Sequence, residues 1–196
     1  MAYLSKEQRR EMILQAAMHV ALHEGFSAMT VRRIATEAQT SIGQVHHHFA
    51  SNSHLKAEAF IKLMQQLDEI ESQVNTTNYL QRLSLLLGCE NIEQIQPYLR
   101  LWNEAEVLID QDQEIKFAYN IAMQDWHRSI VRMIDEGQAQ QEFQFDTDSH
   151  DIAWRLIAFV CGLEGIYKLG LNGLNEVDFK RHTDAIIQAE LFKNKT

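Results

Sequence analysis

Proline is nearly absent from this chain of 196 residues, which contains one, Pro97. Proline interrupts helices, and no stretch alternates apolar and polar residues as a half-buried strand would, so a helical fold is expected throughout. Cysteine is as scarce: Cys89 and Cys161 lie far apart and form no Cys-x-x-Cys. That excludes a disulfide framework or a zinc ribbon and leaves two buried apolar fillers, the alternative being a redox sensor with an exposed thiol of low pKa. Long apolar runs are missing too. The longest, residues 156–161, is far too short to span a bilayer, and the polar stretch 5–11 holds no signal-peptide core. A cytoplasmic protein without membrane contact is expected. Basic charge is in deficit, with a formal net charge of −9, which argues against a protein that coats nucleic acid by bulk charge.

The charge is unevenly spread. Residues 1–56 carry six basic side chains (Lys6, Arg9, Arg10, Arg32, Arg33, Lys56) against four acids (Glu7, Glu11, Glu24, Glu37). A mildly basic head therefore precedes an acidic body, as suits a DNA reader that relies on a few placed contacts. Apolar residues make up 45% of the chain, enough to bury a sizeable core in one medium or two small domains.

The stretch 29–60 organises the rest. Thr30 is a good N-cap, and Val31, Ile34, Ala35 and Ala38 recur at helical spacing, giving a short amphipathic helix. Ser41 opens a second helix after only a few residues, so the pair forms a helix-turn-helix whose second member fits a major groove. On that helix Val45 and Phe49 point back at Ile34 and Ala35, while Thr40, Gln44 and His47 look outward together. Gln44 can bond adenine N6 and N7 at once, and Gly43 leaves a gap for close approach. Ahead of it, Ser5 caps a helix to about His23 with Ile13, Leu14, Ala17, Val20 and Ala21 buried and Gly25 as its stop. His19 and His23 share a face without a third metal ligand, so a solvated face is expected.

Gly25-Phe26 with Met29-Thr30-Val31, Ile34-Ala35, Ala38, Ser41 to Val45, Phe49, Ser51 and Leu55 together resemble the DNA-binding domain of the TetR family of bacterial regulators, over roughly residues 8–60. Four positions depart from that family: Gln39 stands where the turn usually has Gly, His46 and His48 where Tyr is usual, and Asn52 where a Lys commonly clamps phosphate. Gln39 must either tolerate a left-handed conformation at some cost or belong to a different turn. The resemblance implies a transcriptional regulator, a repressor, acting as a homodimer on a near-palindromic double-stranded operator and released by a small-molecule effector, with no cofactor. Residues 1–52 would be the helix-turn-helix domain and 53–196 a helical ligand-binding and dimerisation domain. DNA contacts are expected from Thr30, Arg32, Arg33, Thr40, Ser41, Ile42, Gln44, His46, His47, His54 and Lys56. Three adjacent histidines point about 100° apart on a helix and cannot converge on one ion, so DNA contact is preferred over metal for His46 and His47.

Beyond the head, Leu55, Ala59, Phe60, Leu63, Met64, Leu67 and Ile70 mark a long helix that joins reader to body, and residues 75–78 a turn cluster and domain boundary. Further helices are expected over 79–87 (stopped by Gly88), 97–109 (Pro97 first), 111–136 (Asp110 with Gln113 capping, Gly137 stopping), 149–169 and 176–191. The helix 149–169 is apolar nearly all round, so a second subunit is expected to cover its outer face, where Gly162 and Gly165 permit close approach. The alternative is a central helix of a monomeric bundle. With 176–191 it would complete a four-helix dimer interface.

Trp102, Phe117, Tyr119, Met123, Trp126 and Tyr167, with Glu104 or His127 as polar groups, are candidates for an effector pocket; aromatics so spaced also serve as plain core. Glu164 is expected to pair with Lys168. Two rival readings remain. One is a helical metal-dependent phosphohydrolase built on His150-Asp151 with His127 and Asp184; the other is a dimeric helical scaffold that ignores DNA.

Overall fold

The computed structural model describes residues 5–73, 76, 78–89, 93–171 and 174–192. Among these, nine α-helices occur: α1 Lys6–Glu24, α2 Val31–Glu37, α3 Ile42–His48, α4 Asn52–Gln73, α5 Tyr79–Leu86, α6 Gln96–Leu108, α7 Gln113–Ala139, α8 Ser149–Lys168 and α9 Glu176–Leu191. The all-α expectation holds. Asn75 and Thr77 of the expected turn cluster lie outside the described residues. The chain divides into two compact units, one of residues 1–70 with 92–123 and the other of residues 71–91 with 124–196.

In the first unit the helix ends follow from local chemistry. Ser5 and Gln8 form a reciprocal capping box, each side chain accepting from the other's backbone N–H at 3.1 and 2.8 Å. Gly25 ends α1 at φ 84°. A Cβ there would stand 2.7 Å from the Glu104 carboxylate, which itself accepts the Phe26 N–H at 2.7 Å. Thr30 caps α2 through the Arg33 N–H at 3.2 Å. Ile13, Leu14, Ala17, Phe26, Ile34, Val45, Phe49, Leu55, Phe60 and Leu63 join one core, to which α6 and α7 add Leu101, Ala105, Ile115 and Ala118. Complete burial of a side chain such as Phe60 contributes about 2 kcal/mol.

In the second unit, Gly88 ends α5 at φ 72° as expected. Gly137 does not end α7. That helix runs on to Ala139, and residue 137 is glycine because the Phe143 ring packs where its Cβ would sit, 2.3 Å away. The reversal comes at Gln141, φ 63°, whose N–H bonds the Gln138 carbonyl while the Glu142 N–H bonds that of Gly137 at 2.9 Å. At its other end α7 begins at Gln113, and the cap is Asp112, accepting from Glu114 N–H at 3.0 Å. The expected Asp110–Gln113 capping pair is thus replaced by a residue two positions nearer the helix. In α8, Ile152, Ala153, Leu156, Ile157 and Val160 are buried, and α8 packs on α9 through Ile187 and Leu191. The opposite side of α8 leaves Ile166 46% and Leu169 72% exposed.

Candidate nucleic-acid interface

The geometry of α2, its turn and α3 is set by four residues. Gln39 takes φ 48°, and the Thr40 N–H reaches back to the Ala35 carbonyl at 2.9 Å while the Gln39 N–H meets that of Thr36 at 3.1 Å. This is a Schellman ending with glutamine in the place that favours glycine. The left-handed alternative for Gln39 is therefore the one adopted. Ser41 then caps α3 through the Gln44 N–H at 3.3 Å. Seven residues make a helix too short to stand alone, and burial of Val45 and Phe49 against the core holds it in place.

The face left outward carries Ile42, 43% exposed, with Ser41, Gly43, His46 and His47 also exposed. A Cβ on Gly43 would meet only the Ser41 hydroxyl, 3.8 Å away, so the surface there is open. Thr40 and Gln44 are half-buried. Gln44 is covered because Arg9 of α1 donates from Nη1 to its Oε1 at 3.4 Å. An open groove of about 680 Å³ runs beside this pair, bordered by Arg9, Met12 and His19 of α1 and by Glu37, Gln39 and Thr40. Arg9 was absent from the sequence-derived set. The signal that could have found it is the basic run Lys6, Arg9, Arg10 at the start of α1.

His48 has a different role from its two neighbours. It is half-buried, with Nδ1 enclosed and without a hydrogen-bond partner among the described residues. Burial first, then the charges of His47, Lys6, Arg9 and Arg10, lower its pKa below the usual histidine value. Asn52, in the place of the family's Lys, donates instead to the Met29 carbonyl at 2.9 Å and so ties α4 to the start of α2.

The flanking candidates sit as follows. Thr30 and Arg32 are exposed and Lys56 half-buried. Arg33 is held by Glu24, at 2.6 Å, and by Glu37, at 2.8 Å, and its pKa is raised by these hydrogen bonds. His54 faces Glu114 at 3.5 Å. Arg33 and His54 therefore have carboxylate partners that a phosphate would have to displace.

The effector candidates separate into groups. In the first unit Trp102 and Tyr119 lie 4.6 Å apart by ring centroids and both pack near Phe60; Met123 is half-buried, Phe117 is 63% exposed, and Glu104 is engaged with Phe26. In the second, Trp126 donates to the Leu86 carbonyl at 2.7 Å, His127 is buried and stacks on Trp154 at 4.2 Å, and Tyr167 meets Phe179 edge-on at 6.3 Å. His150, central to the phosphohydrolase reading, is the second residue of α8, its N–H accepted by Asp148 at 2.7 Å. Among the described residues no three His, Cys, Asp or Glu side chains converge as a metal site would require. Glu164 pairs with Lys168 at 2.9 Å, as expected. No helix of the described residues is long and apolar enough to cross a membrane.

A capped, core-anchored α3 with an open outward face, braced by α1 and α2, defines a helix-turn-helix protein. Residues 13–59 match the family model described as bacterial regulatory proteins, tetR family. It is 28% identical over 84 residues to the HTH-type transcriptional repressor KstR of Rhodococcus jostii, covering 43% of this chain and 40% of that protein. The chain thus spans less than half the length of the curated relatives it first matches. The TetR-family regulator of Cytophaga hutchinsonii shares the fold at a TM-score of 0.77 and 19% identity, over 98% of this chain and all of that one. A transcriptional regulator of Saccharomonospora viridis, solved in complex with choline, does so at 0.71 and 23%, over 96% of this chain and 100% of that one.

Proposed function

We propose that this protein is a sequence-specific DNA-binding transcriptional regulator, a repressor of the cytoplasm, working as a homodimer on a near-palindromic operator and released by a small-molecule effector. The observation that carries the reading is α3 itself: Ser41 caps it, Val45 and Phe49 anchor it, and Ile42, Gly43, His46 and His47 stand outward beside Gln44. Two such helices, one per subunit, enter successive major grooves about 34 Å apart. Thr40, Ser41, Ile42, Gln44, His46 and His47 meet bases or the backbone beside them, while Thr30, Arg32, Arg33, His54 and Lys56 meet phosphates. The exposed apolar side of α8, open around Gly162 and Gly165, supports the dimer.

For the effector we propose the first unit's candidates, Trp102, Glu104, Phe117, Tyr119 and Met123. The Phe60–Trp102–Tyr119 cluster supports that part of the reading, since grouped aromatic faces suit an apolar or cationic small molecule. An effector that favours one of two subunit arrangements lowers operator affinity, and the operator lowers effector affinity by the same factor. Selection of bound sequences from random duplex DNA by the purified protein is the test. Enrichment of a two-fold symmetric site is expected, with the preference at one position of each half-site lost in Gln44→Ala; recovery of no duplex at all would refute the proposal.

A further inference from the structure

The geometry points to Arg9 as the residue that decides which base Gln44 reads. This rests on the DNA-binding reading above and concerns the same surface. A glutamine reads adenine by two bonds at once, its Oε1 accepting from the N6 amino group and its Nε2 donating to N7. In this protein Oε1 already accepts from Arg9 Nη1 at 3.4 Å. Only the carbonyl oxygen of the amide can accept from a guanidinium, so the contact also settles which way the carboxamide faces. The backbone of Gln44 is fixed besides, its N–H held by the Ser41 cap at 3.3 Å. With oxygen turned to Arg9, the group presented to the groove is the Nε2 amino group, a donor.

The charge beside it acts in the same direction. Arg9 is one of the cations, with Lys6 and Arg10, whose fields reach His48 at the end of α3. A guanidinium next to the reading amide repels the N6 donor of adenine and favours an edge made of acceptors. Guanine presents O6 and N7, both acceptors, whereas adenine presents one donor and one acceptor. Arg9 therefore sets Gln44 to read guanine, and the adenine pairing that Gln44 would make alone is suppressed.

The experiment is selection from random duplex DNA with the full-length wild type, Arg9→Ala, Arg9→Lys and Gln44→Ala, followed by affinity measurement on duplexes varied at the one position whose preference Gln44→Ala abolishes. The wild type is expected to prefer guanine there. In Arg9→Ala the guanine-to-adenine ratio should fall about tenfold, and Arg9→Lys, which retains a cation and donors, should restore part of it. The inference is overturned if the wild type selects adenine at that position. It is also overturned if Arg9→Ala weakens all duplexes equally, the behaviour of a phosphate contact. Binding of no duplex by any of the four proteins overturns it together with the DNA-binding reading, whereas normal operator binding with an unchanged base preference overturns it alone.

Discussion

Two glutamines occupy positions where backbone geometry favours glycine: Gln39 at φ 48° after α2 and Gln141 at φ 63° after α7. Both sit at the reversing residue of a Schellman ending, where a side chain crowds the carbonyl. Gln39→Gly and Gln141→Gly are each expected to raise unfolding stability by about 0.5–1 kcal/mol, measured by urea titration. Gly25→Ala should lower it by about 1–3 kcal/mol, since φ 84° and the nearby Glu104 carboxylate both oppose a methyl group. The same residues show where sequence reading stops. Gly137 looked like the end of α7, yet it is glycine because the Phe143 ring needs the space, a tertiary contact that no local pattern displays. His48 gives a further expectation. Its folded pKa lies below its unfolded one, so the unfolded chain binds more protons as pH falls through the usual histidine range near ~6.5, and stability declines there. His48→Gln should flatten the urea midpoint between pH 7.5 and 5.5; an unchanged slope would show that the burial of His48 has no such effect.

At the level of elements, caps and apolar spacing were legible while partners distant in sequence were not. Thr30, Ser41 and the Ser5–Gln8 box all cap as their residue types indicate. The inward pair Val45 and Phe49 and the outward His47 follow from helical period alone, whereas Thr40 and Gln44, expected to look outward with His47, are half-buried. By contrast the contact between Arg9 and Gln44 joins positions 35 residues apart, and the hold of Glu24 on Arg33 depends on how α1 meets α2. The start of α7 was misplaced because two aspartates compete and only Asp112 lies where its carboxylate meets the first N–H groups. Since α3 is seven residues long, its ends matter more than those of a long helix. Ser41→Ala is expected to cost about 1 kcal/mol of stability and to weaken operator binding, whereas Ser41→Asp should retain the stability. Equal stability of Ser41→Ala and wild type in thermal melts would rule out that role.

For the molecule as a whole, the decisive feature is the side of α8 that the other described residues leave uncovered. A helix apolar all round was read from sequence as needing cover from two directions; α9 supplies one through Ile187 and Leu191, while Ile166 and Leu169 remain exposed. If a second copy supplies the other, a charge placed there should separate the subunits without disturbing the buried face of Ile152, Leu156 and Val160. Ile166→Asp with Leu169→Asp is therefore expected to sediment as a single chain at micromolar concentration, with an unaltered helical circular dichroism spectrum. Operator affinity should fall by two orders of magnitude or more, because each head then binds its half-site without the effective concentration that linkage provides. Net charge makes the loss steeper. A chain of −9 gains little from bulk attraction to DNA, so affinity depends on a few phosphate contacts made by both heads together, and the salt dependence of binding should fall to about half in the monomeric variant. A variant that stays dimeric would place the subunit interface elsewhere. One that becomes monomeric yet keeps full operator affinity would remove the need for paired heads.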